Sequence, residues 1–267
     1  MSRSSNNAMK LLIDETADRG RAEQIADRYG FVLCMEANPS ELCLRLDAEQ
    51  LILTDGELSV CGDCTRILPR TEHGRLSTEL LYKAAKRKTF GEHPVAWDAT
   101  AGLGEDAFLL AAAGFFVRLY ERDPVIAALL EDALIRGLKN PETAETVSRM
   151  SLFYEDSIAA MEALSKGSEA HGSGTGTEAR EEIPDVILLD PMFPERRKSA
   201  LIKKKFQLLQ KLERPCADGE ELLSAALRTG AKRILIKRPA KGPFLAGRTP
   251  DYSLTGKAVR VDCIVRA

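Results

Sequence analysis

From Pro94 to Trp97 a short apolar stretch runs into Asp98-Ala99-Thr100-Ala101-Gly102-Leu103-Gly104, and Glu105-Asp106-Ala107-Phe108-Leu109-Leu110-Ala111-Ala112-Ala113 then reads as a helix. A strand, a turn with two glycines and a helix in that order constrain the chain more than any other stretch. Gly102 and Gly104 let the backbone turn sharply and approach a ligand closely, which a Cβ would hinder. The new helix points its unpaired N–H groups into the same turn. Such a unit buries its apolar faces only when further strands and helices layer against it.

Those layers are visible downstream. Residues 115–120 (Phe-Phe-Val-Arg-Leu-Tyr) predict a strand ending at Glu121, and residues 124–138 a helix with Pro124 in its first turn, where a missing N–H costs nothing. Residues 152–154 predict a short strand ending near Asp156, and Val186-Ile187-Leu188-Leu189 a central parallel strand. Helices are expected at 199–212 and 219–229, a strand at 233–236 and a closing strand at 258–265. Residues 165–182, rich in Gly, Ser, Thr and Glu, read as a flexible insert rather than an element. Strands alternating with helices predict an α/β fold over 91–267, a Rossmann-like doubly wound sheet. Upstream, residues 1–8 read as a disordered leader and 9–90 as a small α+β unit with a linking helix at 78–88. Strands at 11–13, 31–35 and 42–46 surround a helix at 18–29 stopped by Gly30, and strands at 51–53 and 58–60 flank a hairpin turn at Asp55-Gly56. Antiparallel pairing is expected to dominate this unit.

Net charge is −2, so a polyanionic partner must meet a local basic patch rather than the whole surface. No run of eighteen apolar residues is present, which argues against a transmembrane helix, and the expected compartment is the cytoplasm. Six cysteines in 267 residues do not make a disulfide framework. Cys61-Gly62-Asp63-Cys64 lacks the second pair a zinc site needs, so free thiols in a turn between strands, and no metal, are expected. His73, His93 and His171 are scattered and form no hydrolase triad.

Three carboxylates fall at strand ends: Asp98, Glu121 and Asp190. In an open α/β sheet, ligands bind beyond the carboxyl ends of the strands, so these acids converge on one crevice. Gly102-x-Gly104-x-x-Ala107 formally fits a dinucleotide fingerprint with Glu121 as its ribose acid, as an NAD-dependent oxidoreductase would use it. The charges argue otherwise. Asp98 at the mouth of the turn, with Glu105 and Asp106 in the first helical turn, suits a cationic amino-acid head and a sulfonium better than a pyrophosphate. Glu121 would then accept the ribose hydroxyls through charge-assisted bonds of about 1.5–3 kcal/mol each.

Asp190-Pro191-Met192-Phe193-Pro194 follows the most apolar strand. The exocyclic amine of a base is a poor nucleophile because its lone pair is delocalised into the ring. If the Asp190 carboxylate and the Pro191 carbonyl accept its two hydrogens, the nitrogen pyramidalises and its lone pair points along a fixed line. Phe193 offers a face for stacking the base. This is catalysis by orientation, with no covalent intermediate and no metal. The plainer alternative is a Pro-rich loop with Phe193 buried; together with the Asp98 turn, the chemical reading is preferred.

The stretch from Asp98 to Phe108 resembles the first motif of class I S-adenosylmethionine-dependent methyltransferases, and Asp190-Pro-Met-Phe resembles their motif for amino groups of bases, with Met192 in place of its second proline. These motifs, with Leu119-Tyr-Glu-Arg-Asp-Pro124, Lys198-Ser-Ala-Leu-Ile-Lys-Lys204 and Ile236-Lys-Arg-Pro239, are similar to the RsmJ family of small-subunit (16S) rRNA guanine-N2 methyltransferases. The resemblance implies S-adenosylmethionine as cofactor and small-subunit rRNA or the small ribosomal subunit as partner. It implies that Gly102, Gly104, Glu105 and Asp106 line the cofactor and that Glu121 and Arg122 bracket its ribose and adenine. Asp156 and Ser157 would flank the adenine, and Asp190 would stand between cofactor and target amine. Basic residues follow the reactive loop at Arg196, Arg197, Lys198, Lys203, Lys204 and Lys205, with more at Lys237, Arg238 and Lys241 and at 83–88. They are expected to form an RNA phosphate track with salt-sensitive affinity. Three rivals remain at this point: an amino-methyltransferase of another RNA or DNA base, an NAD-dependent oxidoreductase using the same glycine turn, and an RNA-binding protein with an inactive methyltransferase fold.

Overall fold

A computed structural model of the chain describes residues 8–36, 40–86, 90–170, 183–191, 208, 212 and 218–266. Among these, twelve strands form two sheets. The first holds β1 (Lys10–Ile13), β2 (Val32–Cys34), β3 (Cys43–Leu46), β4 (Leu51–Thr54) and β5 (Ser59–Val60) in the order β2-β1-β3-β4-β5. Helix α1 (Arg19–Tyr29) is capped by Asp18, whose side chain accepts the N–H groups of Gly20 and Arg21, and it stops at Gly30 with φ 73°. These are the local signals that start and end a helix.

Pairing in this sheet departs from the antiparallel expectation. β1 runs parallel to both β2 and β3, and only β3-β4-β5 is antiparallel. The reason is α1: a helical crossover returns the chain to the same end of the sheet, so β2 re-enters in the direction of β1. The Asp55-Gly56 turn does connect β4 and β5, with Gly56 at φ 88°.

The linking segment holds α2 (Leu68–Thr71), a 3-10 turn at Arg75–Thr78 and α3 (Leu80–Ala85). Helix α3 is shorter than the expected helix over 78–88, and the backbone is already extended at Lys86. Cys64 opens a 3-10 helix (Cys64–Ile67) capped by Asp63, rather than lying in a turn between strands. Its thiol is free and buried, and burial pushes it up to about 11.

The second sheet comprises β6 (Val95–Asp98), β7 (Phe116–Tyr120), β8 (Met150–Phe153), β9 (Val186–Leu189), β10 (Arg233–Pro239), β11 (Tyr252–Thr255) and β12 (Val259–Val265). Their order is β11-β12-β10-β9-β6-β7-β8, parallel from β8 through β10 and antiparallel at β12. Strand β11 gave no signal in the sequence. Its exposed, polar composition (Tyr-Ser-Leu-Thr) is that of an edge strand, which needs only one apolar neighbour.

The helices α4 (Glu105–Ala112), α5 (Pro124–Lys139), α6 (Ala144–Val147), α7 (Ser157–Ala170) and α8 (Gly219–Arg228) cover the sheet. Successive residues of β9 separate its faces: Leu188 packs with Phe108, Leu119 and Leu130, while Ile187 and Leu189 pack with Trp97, Met161 and Leu223. Helix α7 overturns part of the expected insert, because residues 165–170 are helical; Met161 and Leu164 anchor the helix in the core. Residues 171–182, residues 1–7 of the leader expected at 1–8, and most of the expected helix at 199–212 lie outside the described residues. Among the described residues no helix is long and apolar enough to cross a membrane.

Helix α5 serves both sheets. Leu130, Ala133 and Leu134 face the core of the second, while Val125, Ile126 and Leu129 pack against Leu44, Leu46, Leu51 and Leu53 of the first. A polar clasp reinforces this contact: buried Asp132 accepts from Arg21 of α1 and, at 2.9 Å, from Arg136 Nε, while Arg136 Nη2 donates to the Gly62 carbonyl. At Gly62 an added Cβ would stand 2.6 Å from Ala133 Cβ and 2.7 Å from the Leu129 carbonyl oxygen. Gly62→Ala is therefore expected to destabilise the chain by about 1–3 kcal/mol in urea unfolding. Gly91→Ala, where a Cβ meets nothing within 4 Å, should change stability by less than about 0.5 kcal/mol.

Candidate active site

Strand order reverses around β6, with β7 on one side and β9 on the other. A crevice opens at such a switch point because the connections leave in opposite directions. The register brings charged residues together there. Asp98 pairs with Leu188 and Ile236 with Leu189, so Asp190 and Lys237 follow side by side at the carboxyl edge.

The turn after β6 is held by the backbone. Ala99 N–H donates to the Leu188 carbonyl at 3.0 Å, Ala101 N–H to the Tyr120 carbonyl at 3.1 Å, and Gly104 N–H to the Ala101 carbonyl at 2.8 Å. Gly102 (φ 54°) and Gly104 (φ 77°) both take left-handed backbone, for different reasons. At Gly104 a Cβ would also strike Leu130 Cδ1 at 2.8 Å, whereas at Gly102 it would meet nothing closer than the Thr100 carbonyl at 4.0 Å. Gly104 thus packs against the protein, and Gly102 is required by its backbone angle alone.

Glu121 closes the turn from the end of β7. Its Oε2 accepts the Gly102 N–H at 3.0 Å and its Oε1 the Asp123 N–H at 2.8 Å. Burial pushes this carboxyl up to about 7, against the pull of those two N–H groups. Asp98, 2% exposed, accepts the Thr100 N–H at 3.1 Å. Burial first, then the carboxylates of Asp106 and Asp190, push it up to about 8 despite that bond and nearby Lys237. Asp190 donates its own backbone N–H to Thr100 Oγ1 at 2.7 Å. Lys237 Nζ reaches Asp190 Oδ2 at 3.0 Å and also contacts Asp106 Oδ2. Burial alone would lower its pKa, but Asp106 and Asp190 outweigh burial and hold the ammonium charged.

On the other flank Arg122 Nη1 bridges Asp218 Oδ2 at 2.7 Å and Asp156 Oδ2 at 3.2 Å. Asp156 Oδ1 accepts the Ile158 N–H at 2.8 Å, at the start of α7 where Ser157 is the first residue. Asp218 was not singled out from the sequence; its signal is an acid directly before the α8 start at Gly219, which reads equally well as a cap.

Of the residues read from the sequence, Asp98, Gly102, Gly104, Glu105, Asp106, Glu121, Arg122, Asp156, Ser157, Asp190 and Pro191 all fall on the loops and ends at this edge. Phe193, Arg196, Arg197, Lys198, Lys203 and Lys204 lie outside the described residues. Two members of the expected RNA track are corrected. Arg238 is 1% exposed and donates Nε to the Pro243 carbonyl at 2.9 Å, so it cannot meet a phosphate. The Lys237 side chain, 19% exposed, is engaged by two carboxylates. The cause is the position of β10 between β9 and β12, with both of its faces covered.

The family profile for SAM-dependent methyltransferases matches residues 24–266. The crystal structure of a SAM-dependent methyltransferase from Neisseria gonorrhoeae superposes with a TM-score of 0.74 at 31% identity, covering 96% of each chain. The fold and crevice therefore define a class I SAM-dependent methyltransferase, with S-adenosylmethionine as cofactor in place of the nicotinamide alternative. Ribosomal RNA small subunit methyltransferase J of Neisseria gonorrhoeae is 37% identical over 256 residues, spanning 94% of this chain and 95% of that protein. Its namesake from Nitrosococcus oceani is 45% identical over 169 residues, 63% of this chain and 61% of that one. The chain belongs to the ribosomal RNA small subunit methyltransferase J family.

The crevice carries a pH signature. Because the Asp98 carboxyl lies at about 8, above its ordinary 3.8, folding favours its protonated form. That contribution is complete below about pH 4 and is lost as pH rises through about 8. Asn at this position keeps an oxygen for the Thr100 N–H and carries no charge. Urea unfolding of the ligand-free protein from pH 5 to 9 should therefore show Asp98→Asn gaining stability on the wild type as pH increases. A constant difference across that range would refute the assignment.

Proposed function

We propose that the chain methylates the exocyclic N2 amine of a guanine in small-subunit (16S) ribosomal RNA, in the cytoplasm. The family membership supports ribosomal RNA as the substrate class. The observation that carries the chemistry is the anchoring of Asp190: its backbone N–H is held by Thr100 and its carboxylate by Lys237, beside the Gly102 turn.

The residues present fit the cofactor. The buried acid Asp98 and the half-buried acid Glu121 favour a ligand bearing positive charge, and left-handed Gly102 leaves open space where a side chain would stand. In this reading Asp98, Glu105 and Asp106 receive the cationic amino-acid part, with Gly102 and Gly104 forming the close-approach turn. Glu121 holds the ribose hydroxyls, while Arg122, Asp156 and Ser157 border the adenine. S-adenosylmethionine, when bound, supplies a methyl group made electrophilic by its sulfonium.

The chain's own contribution is orientation. The Asp190 carboxylate accepts one N2 hydrogen and the Pro191 carbonyl the other, which frees the nitrogen lone pair from the ring and aims it. Phe193 stacks the base. After transfer, the Asp190 carboxylate is in place to take the proton that the nitrogen must lose. Arg196, Arg197, Lys198, Lys203 and Lys204 grip the RNA backbone with salt-sensitive affinity.

Small ribosomal subunits and naked small-subunit RNA from cells lacking this protein, incubated with tritiated S-adenosylmethionine, test the reading. Label is expected in N2-methylguanosine after nucleoside digestion, and Asp190→Ala should reduce it by about 10²-fold or more. Label in another nucleoside would overturn the choice of base. An unchanged Asp190→Ala rate would overturn the assignment of the reactive loop.

A further inference from the structure

Lys237 differs from a surface lysine in both setting and partners. It lies on an interior strand, one position beyond the last β9 pairing, and its ammonium reaches carboxylates on two separate elements. Asp190 follows β9, and Asp106 lies in the first turn of α4. Asp98 at the end of β6 is a third acid in the same field, while Arg70, doubly hydrogen-bonded to Glu79, acts on Asp106 and Glu105. The cluster therefore brings several acids around the half-buried Lys237 ammonium, with Arg70 at its border.

The physics of that cluster assigns Lys237 a task. Like-charged carboxylates this close repel, and the reactive acid is useful only if it stays ionised with its oxygens aimed at the amine. An ammonium donates in three directions from a compact centre, so it can hold Asp190 and Asp106 together. In a water-poor setting the attraction is stronger than at the surface. Resting on the reading of Asp190 given above, we propose that Lys237 is a positioning residue: it fixes the orientation and charge of the Asp190 carboxylate and ties it to the turn that receives the cofactor.

The test compares Lys237→Met, Asp190→Asn and the double variant in steady-state methylation of small-subunit RNA. S-adenosylhomocysteine binding is measured by calorimetry alongside. Lys237→Met is expected to lower kcat by about 10²-fold, the scale of a misplaced reacting group. The cofactor-product Kd and the RNA KM should stay within about threefold, the split that marks loss of orientation rather than of binding. The double variant should be no slower than Asp190→Asn alone, because both changes remove one linked function.

Lys237→Gln, which keeps a polar head, should show the same separation and serves if Lys237→Met fails to fold by thermal melting. A raised RNA KM with kcat intact would make Lys237 an RNA contact and overturn the proposal. Losses that multiply in the double variant would overturn it too, because Lys237 would then act independently of Asp190. Wild-type turnover in Asp190→Asn would instead strike the reading of the reactive loop itself, which separates the two failures.

Discussion

The arrangement of the candidate site depends on keeping several carboxylates out of water at one edge of a sheet. Removing a carboxylate from solvent costs several kcal/mol unless a counter-charge and hydrogen bonds compensate. Here the compensation comes from different parts of the chain: Lys237 on β10 and the backbone N–H groups of Thr100, Gly102 and Asp123. It is incomplete. Asp98 and Glu121 remain well above their ordinary pKa values in the ligand-free protein. A site under that tension favours a ligand that brings positive charge, which is the character of a sulfonium cofactor with an amino group.

That edge stays in place because the layers behind it are rigidly shared. Helix α5 is buried on two sides, so the parallel-containing sheet at the amino end and the seven-stranded sheet lean on the same helix. Asp123, its cap, donates a backbone N–H to Glu121 while its own side chain accepts from Val125 and Ile126. The start of α5 and the acid at the end of β7 are thus one hydrogen-bonded corner.

Much of this was legible in the residues. The strand, glycine turn and helix from 94 to 113 needed only local rules, as did the α1 cap at Asp18, its stop at Gly30 and the Asp55-Gly56 hairpin. The acids at strand ends were legible because a parallel sheet must bring those ends together. Reading 165–182 as an insert missed the helical stretch to Ala170: Gly and Ser weakened the local signal, while the anchoring contacts of Met161 and Leu164 are long-range. Edge strand β11 was silent for the same reason, its existence resting on the partner β12.

The sequence by itself determined the class of fold, the glycine turn and the Asp190-Pro191 step that follows the apolar strand, since each is written in neighbouring residues and in one apolar period. Tertiary structure alone decided which charges work together. Lys237 and Arg238 look alike as part of a basic run, yet one meets Asp190 and Asp106 while the other donates to the Pro243 carbonyl inside the fold. The same holds for Arg122, whose bridge to Asp218 spans elements far apart in the chain. Side-chain period tells which way a residue points, but only the register of β9 against β10 tells what it will find there.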